Sequence, residues 1–163
     1  MRLDLTGVMN TPGNTLDFDF MMDMSHVEMM GENPFTTGVH VHGQVENLLG
    51  DVRLIGEAQG KCELPCDRCL HPSQIQIDTD FTFYLTNDPE REDADRLFIE
   101  DGMLNLNEVA RDCVLLAFPS QILCDEDCPG LCEICGADLN ETDCDCDNTT
   151  IDPRLAKLAE LLE

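Results

Sequence analysis

Apolar and polar residues alternate with period two through much of the first hundred residues, a pattern that sends successive side chains to opposite faces of a strand. Leu16 to Phe20 reads apolar, acidic, apolar, acidic, apolar. Val39, Val41 and Val45 predict a second strand, and Val52, Leu54 and Ile55 a third, joined by a turn at Leu48 to Asp51. Ile75, Ile77, Phe81, Phe83 and Leu85 predict a long fourth. The expected architecture is an antiparallel β-meander, or a partly closed barrel-like sheet.

The pattern then changes. Asn87 to Arg96 reads NDPEREDADR, polar throughout with a proline, the composition of an exposed acidic loop. Asp101-Gly102 stands between apolar runs within residues 97–106 and signals a hairpin turn. Asn107 can cap a helix over residues 107–118, with Val109, Cys113, Leu116 and Ala117 on one face and Pro119 as the stop. A second short helix is expected near the end, with Asp152 as cap, Pro153 in the first turn and Leu155, Leu158, Ala159 and Leu162 as its apolar stripe. The fold class is therefore α+β: a sheet with one or two helices in a body over residues 1–118, followed by a cysteine-rich tail over residues 119–163.

Composition sharpens this picture at one point above all. Nine Lys and Arg against 34 Asp and Glu leave a formal net charge of -25, which disfavours extensive contact with a phosphate backbone. A basic protein partner fits better, because a negative surface speeds encounter with a positive one. The same charge would also serve solubility alone, or life in a salt-rich host. The opening MRLDLTGVMN lacks the apolar stretch of a secretory signal, and no run of about 18 apolar residues could span a membrane, so a cytoplasmic protein is expected. Cysteines in a reducing compartment serve as metal ligands or buried thiols more often than as disulfides.

Six of the ten cysteines fall between residues 124 and 146, in CDEDCPGLCEICGADLNETDCDC. Cys132-Glu-Ile-Cys135-Gly136 has the spacing of a thiolate knuckle: two intervening residues let both sulfurs face one tetrahedral ion, and the glycine relieves the turn. Cys144-Asp-Cys146 offers a second pair. The favoured reading is one structural zinc on Cys132, Cys135, Cys144 and Cys146, with Cys124 and Cys128 as alternates and two ions among the six thiolates as a further arrangement. An iron–sulfur cluster is the rival chemistry. Metal-free reduced cysteines fit poorly, because the surrounding acidic residues could not bury them.

Elsewhere, KCELPCDRCL holds Cys62, Cys66 and Cys69 at the end of a predicted strand. Cys66 and Cys69 have ligand spacing but no second pair nearby in sequence, so metal there, including a site shared with the C-terminal cysteines, is the lesser reading. Arg68 between them could instead donate to a carboxylate or phosphate. Cys113, on an apolar helix face, reads as packing. His40 and His42 share one side of a strand and read as part of an exposed polar face, and the methionines 21, 22, 24, 29 and 30 read as core filling. No phosphate loop, nucleophile elbow or His paired with Ser or Cys is visible, so no enzyme is expected.

Two motifs together, Cys66-Asp-Arg-Cys69-Leu70 after a meander and Cys128-Pro-Gly-Leu-Cys132-Glu-Ile-Cys135-Gly136-Ala-Asp-Leu139-Asn140 followed by Cys144-x-Cys146, resemble the bacterial large-subunit (23S) ribosomal RNA accumulation protein family of YceD type, long described as a domain of unknown function. The resemblance runs roughly from Val39 to Leu155. It implies a non-enzymatic role in making or accumulating 23S ribosomal RNA, with family genes often beside that of the basic ribosomal protein L32. Some members lack the cysteine tail, which implies that zinc is an accessory stabiliser and that Cys66, Arg68 and Cys69 form the shared functional motif. The leading expectation is a ribosome-biogenesis factor that holds a basic ribosomal protein or a pre-ribosomal particle. The alternative is a small zinc-ribbon transcription or RNA-binding factor, which the carboxylates around the cysteines argue against.

Overall fold

The computed structural model describes residues 1–29, 31–91 and 95–146. The chain divides into two compact units, Met1–Leu64 with Gln74–Ser120, and Pro65–Ser73 with Gln121–Glu163. The second unit thus draws nine residues from within the body expected at residues 1–118.

The first unit is built on a five-stranded sheet in which β2 (Thr15–Met22), β3 (Val39–Leu48), β4 (Asp51–Pro65), β5 (Pro72–Thr86) and β6 (Arg96–Phe98) follow in that order. The period-two pattern maps onto burial: Phe18, Val41, Val45, Leu54, Ile77 and Phe81 face the core, while Asp17, Asp19, Glu57 and Asp78 are exposed. Ile55, grouped with Val52 and Leu54 by composition, alternates to the other face and is half-buried. The turn at Leu49 and Gly50, both at positive φ, joins β3 to β4 with Leu48 opposite Asp51.

Across the sheet, Phe18 lies opposite Gly43, and Gly43 opposite Gly56. A Cβ on Gly43 would stand 2.2 Å from the Ile55 carbonyl oxygen and 2.8 Å from the Phe18 ring, and one on Gly56 would stand 2.5 Å from the Phe81 ring. The two glycines leave the room that the two phenylalanine rings fill.

The sheet is open, against the partly closed barrel among the expectations, and it is not antiparallel throughout. β6 joins it parallel to β5, with Leu85 opposite Leu97. Residues 87–95 separate the two strands, far more than the two-residue loop of a hairpin, so the tight antiparallel return is not imposed here. Pro89–Arg91 within it forms a short 3-10 turn. Asp101 and Gly102 do form a tight turn at positive φ, with the Met103 N–H donating to the Glu100 carbonyl at 3.0 Å. The following strand β7 (Met103–Asn105) then pairs with β1 (Arg2–Asp4) in a separate two-stranded sheet, Leu3 opposite Leu104.

Helix α1 (Thr6–Asn10) follows β1. It is braced by the buried Asn47, whose amide donates to the Val8 carbonyl at 2.8 Å and accepts from the Gly50 N–H at 2.8 Å. Helix α2 (Leu106–Leu116) buries Leu106, Ala110 and Val114. Val109 and Cys113 flank that stripe, as expected, but Leu116 is 86% exposed. Apolar residues cover so much of this helix that two stripes one position apart are legible, and packing selects between them. Asn105, not Asn107, occupies the cap position; the Asn107 side chain accepts from the amino group of Met1. The helix ends before Phe118, which stacks edge-on against Phe35 at 5.8 Å.

Met22 and Met24 are buried in the core and Met21 is exposed. His40 and His42 stack 5.0 Å apart on the outer face, beside Asp19 and Glu57 respectively. The helix expected at residues 152–162 lies outside the described residues, as does Met30. No helix among the described residues is long and apolar enough to cross a membrane.

Candidate metal centre

Two turns of the second unit are built alike. At Cys66–Cys69, the Leu70 N–H donates to the Cys66 carbonyl at 2.9 Å and the Cys66 N–H to the His71 carbonyl at 2.8 Å. At Cys132–Cys135, the Gly136 N–H donates to the Cys132 carbonyl at 2.8 Å and the Cys132 N–H to the Ala137 carbonyl at 2.8 Å. The residue after the second cysteine is left-handed in both, Leu70 at φ 63 and Gly136 at φ 73. Glycine takes that conformation freely, whereas a side chain there costs about 1–2 kcal/mol. Leu70 accepts this cost and stands exposed.

A distant stretch of chain runs beside the first turn. The Asp67 N–H donates to the Ile122 carbonyl at 2.8 Å, and the Asp67 carboxylate accepts from the Ile122 N–H at 2.7 Å. On the other side, the Leu131 N–H donates to the Arg68 carbonyl at 3.0 Å, and the Arg68 guanidinium donates to the Cys128 carbonyl at 2.7 Å. Arg68, considered for a carboxylate or phosphate, is thus engaged with main chain of its own unit.

These bonds bring four sulfurs together: Cys66 Sγ lies 3.9 Å from Cys128 Sγ, and Cys69 Sγ 3.5 Å from Cys124 Sγ. All four lie within 4.8 Å of one another, with Cys66, Cys69 and Cys128 buried and Cys124 exposed. A second group, Cys132, Cys135, Cys144 and Cys146, also lies within 4.8 Å, with Cys132 buried, Cys135 exposed and the other two half-buried. The four cysteines favoured in the sequence therefore stand together, and the alternates Cys124 and Cys128 stand with Cys66 and Cys69. Cys62 joins neither group. It is buried in the first unit's core, its thiol directed at the Ile75 carbonyl.

The electrostatics of the two groups run in parallel. Burial works against a Cys66 thiolate, but the N–H groups of Cys69, Arg68 and Cys124 outweigh it and bring the thiol down to about 6. The N–H groups of Cys135 and Ile134, with the Cys144 thiol, bring Cys132 to about 6. In each group another sulfur resists ionisation: Cys124 is pushed to about 12, first by Cys128 and then by Cys69 and burial. Cys146 is pushed to about 12 by Cys135, then by burial. In the first group Cys66 ionises readily while Cys69 and Cys124 resist, and in the second Cys132 ionises readily while Cys144 and Cys146 resist, so a full set of four thiolates calls for a cation among them.

An ion with four sulfurs at about 2.3 Å sets a tetrahedron whose edges are about 3.8 Å. The 3.5 and 3.9 Å separations bracket that length. Both clusters could hold a metal ion, and an all-thiolate tetrahedron suits zinc or iron. A third grouping, His71, Asp138 and Glu141, has mostly exposed members, with His71 Nε2 3.1 Å from an Asp138 carboxylate oxygen.

The signal for the first cluster was present in the sequence as a Cys-x2-Cys pair that could share a site with the C-terminal cysteines and a Cys-x3-Cys pair held as alternate ligands. What was missing was the fold that brings residues 65–73 beside residues 121–131.

Comparison with known proteins gives a consistent answer. The family profile described as "Large ribosomal RNA subunit accumulation protein YceD" matches residues 54–162. The chain is 26% identical to the "Uncharacterized protein YlbN" of Bacillus subtilis (strain 168), over 93% of this chain and 91% of that protein. It is 30% identical to an uncharacterized protein of Mycobacterium tuberculosis (strain ATCC 25618 / H37Rv), over 73% of this chain and 59% of that one. It is 28% identical to "Large ribosomal RNA subunit accumulation protein YCED homolog 1, chloroplastic" of Zea mays, over 68% of this chain and 49% of that protein. No solved structure matches.

Proposed function

We propose, from the premise that this chain belongs to the YceD family of large ribosomal RNA subunit accumulation proteins, that it is a non-enzymatic ribosome-biogenesis factor supporting the synthesis, processing or accumulation of 23S ribosomal RNA by holding a basic ribosomal protein. The family and its chloroplast homologues support the general role in large-subunit RNA accumulation. The observation that carries the finer reading is the surface of the second unit. Asp125, Glu126, Asp127, Glu133, Glu141, Asp143 and Asp145 are all exposed, and no Lys or Arg occurs between residues 121 and 146.

Such a surface repels phosphate and attracts a cationic protein. Zinc on Cys132, Cys135, Cys144 and Cys146 strengthens the effect, since a divalent ion among four thiolates leaves a net charge of about −2. The metal orders the carboxylates and adds to their field. A basic ribosomal protein, L32 among the candidates, would be kept from premature contact with RNA until the assembling particle took it.

The test is affinity capture of the tagged chain from cells at low and moderate salt, read for ribosomal proteins and precursor ribosomal RNA. The expected result is enrichment of a basic large-subunit protein that falls as salt rises. RNA retained without protein, or enrichment of neither, overturns the reading.

A further inference from the structure

The geometry points to a second metal site: Cys66, Cys69, Cys124 and Cys128 hold a zinc ion of their own, independent of one on Cys132, Cys135, Cys144 and Cys146. The inference deepens the zinc part of the proposed function but does not depend on it, because no residue is shared between the two clusters.

Four features support a thiolate site over packed thiols. The separations of 3.5 and 3.9 Å are far too long for disulfides, whose sulfurs stand about 2.05 Å apart, and they fit the edges of a tetrahedron around one ion. Cys66, Cys69 and Cys128 form a small buried cluster of their own, with Leu123 and Leu131 the apolar residues packed against it among the described residues. The Cys66–Cys69 turn also repeats, bond for bond, the main-chain pattern of the Cys132–Cys135 knuckle. It does so with Leu70 in the left-handed position, a strain that a purely structural turn could shed by ending otherwise.

The fourth feature is the shell around the sulfurs. The Arg68 N–H donates to Cys66 Sγ at 3.4 Å, and the Asn140 side-chain amide donates to Cys128 Sγ at 3.6 Å. Asn140 is oriented by a second bond, 2.7 Å to Asp138 Oδ1, and Asp138 Oδ2 lies 3.1 Å from His71 Nε2. His71 in turn accepts the Cys66 N–H through its carbonyl, so the chain of contacts closes on the site it began from. Donors aimed at ligand atoms and held by their own partners are what a metal site requires of its surroundings. Asn140 is the informative member. Its number falls between Cys135 and Cys144, yet its side chain serves the other cluster.

The two ions differ in protection. Three of the four cysteines are buried residues in the first cluster and one of four in the second, so the first ion should exchange more slowly than the second.

The experiment measures metal in the full chain purified under reducing conditions. Wild type should carry two zinc ions. Cys66→Ser and Cys128→Ser should each carry one, as should Cys144→Ser and Cys146→Ser. Because a serine variant can fail to fold, Asn140→Ala provides a second readout with all ligands kept: it should weaken the slowly exchanging site by about 10–100-fold in a competition with a zinc chelator and leave the fast site unchanged. Cobalt titration of the metal-free wild type should give tetrahedral thiolate absorption rising to two equivalents. A plateau at one equivalent, with Cys66 and Cys128 alkylated in the zinc-loaded protein, overturns the second site. So does iron in place of zinc, or weakening of the fast site by Asn140→Ala. If Cys144→Ser and Cys146→Ser leave the zinc content unchanged while Cys66→Ser lowers it, the zinc reading of the proposed function fails and this one stands.

Discussion

Gly43→Ala tests the packing of the sheet directly. The added Cβ would lie 2.2 Å from the Ile55 carbonyl oxygen, 2.6 Å from the Gly56 Cα and 2.8 Å from the Phe18 ring. The first two are main-chain atoms of β4, so no side-chain rotation relieves the overlap. Strands β3 and β4 must separate by about 1 Å there, which weakens the ladder while the Phe18 ring is also displaced. Overpacking of this kind costs typically 1–3 kcal/mol, and a clash with backbone belongs at the upper end. At about 3 kcal/mol, Tm falls by roughly 6–12 °C for a chain of this size. Two alanine substitutions serve as controls. Gly7, in α1, has nothing within 4 Å of the place an added methyl group would take, and Ala there should stabilise by about 0.5–1 kcal/mol. Gly50 has open space but, like Gly43 at φ +156, sits at positive φ (+107), so Ala there should cost about 1 kcal/mol from the backbone alone and measures the strain to be set aside at Gly43. Urea and thermal unfolding of the zinc-loaded chains by far-UV circular dichroism would rank the three. If Gly43→Ala unfolded within about 1 kcal/mol of Gly50→Ala, the packing argument for the two glycines and two phenylalanines would be wrong.

Chelating the metal should unfold the second unit and leave the first, because structural zinc in small thiolate modules supplies folding free energy that few apolar side chains can replace. Amide exchange should then show protection lost at Asp67, Leu131, Cys132 and Leu139 and kept at Val41 and Leu54; equal loss in both sets would refute the division. Arg68→Ala removes the guanidinium bond to the Cys128 carbonyl and should speed zinc loss from the Cys66 cluster, with Arg68→Lys intermediate; unchanged release in a chromogenic chelator would remove Arg68 from the site's support. Burial raises the thiols of Cys62 and Cys113 above their ordinary value of 9.0. Both should therefore resist alkylation in the native protein at pH 8. Their contribution to stability is complete below 9.0 and is lost as pH rises through the raised folded values, since the unfolded chain gives up the protons first. Rapid alkylation of either thiol without unfolding would contradict this.

How much of the fold can be read in advance depends on the length of each element. Strands β2 to β5 run eight to fifteen residues and show their period plainly. β1 and β7 have three residues each and α1 has five, too few for any period to declare itself. Their positions are set by what they pair with: β7 leaves the Asp101–Gly102 turn to join β1, a partner some hundred residues away in sequence. The turn chemistry was local and legible. The choice of partner was tertiary and was not.

The cysteines divide in the same way. The knuckle at Cys132 announced itself because Gly136 fills the left-handed position that the turn needs. The knuckle at Cys66 has the same hydrogen bonds, but Leu70 fills that position, and a leucine gives no turn signal. The partition of the remaining ligands then follows from chain geometry. Residues 121–131 are held along the first knuckle at Asp67 and Arg68, which sets Cys124 and Cys128 against Cys66 and Cys69. Gly130, at φ 80, then turns the chain, and the Leu139 N–H donates to its carbonyl at 2.9 Å, so that Cys132 begins a second turn directed at its own partners. A Cβ at Gly130 would stand 2.9 Å from the Arg68 carbonyl oxygen. Conformation and closeness to Arg68 both favour glycine at this position, where the chain leaves the first set of sulfurs and enters the second.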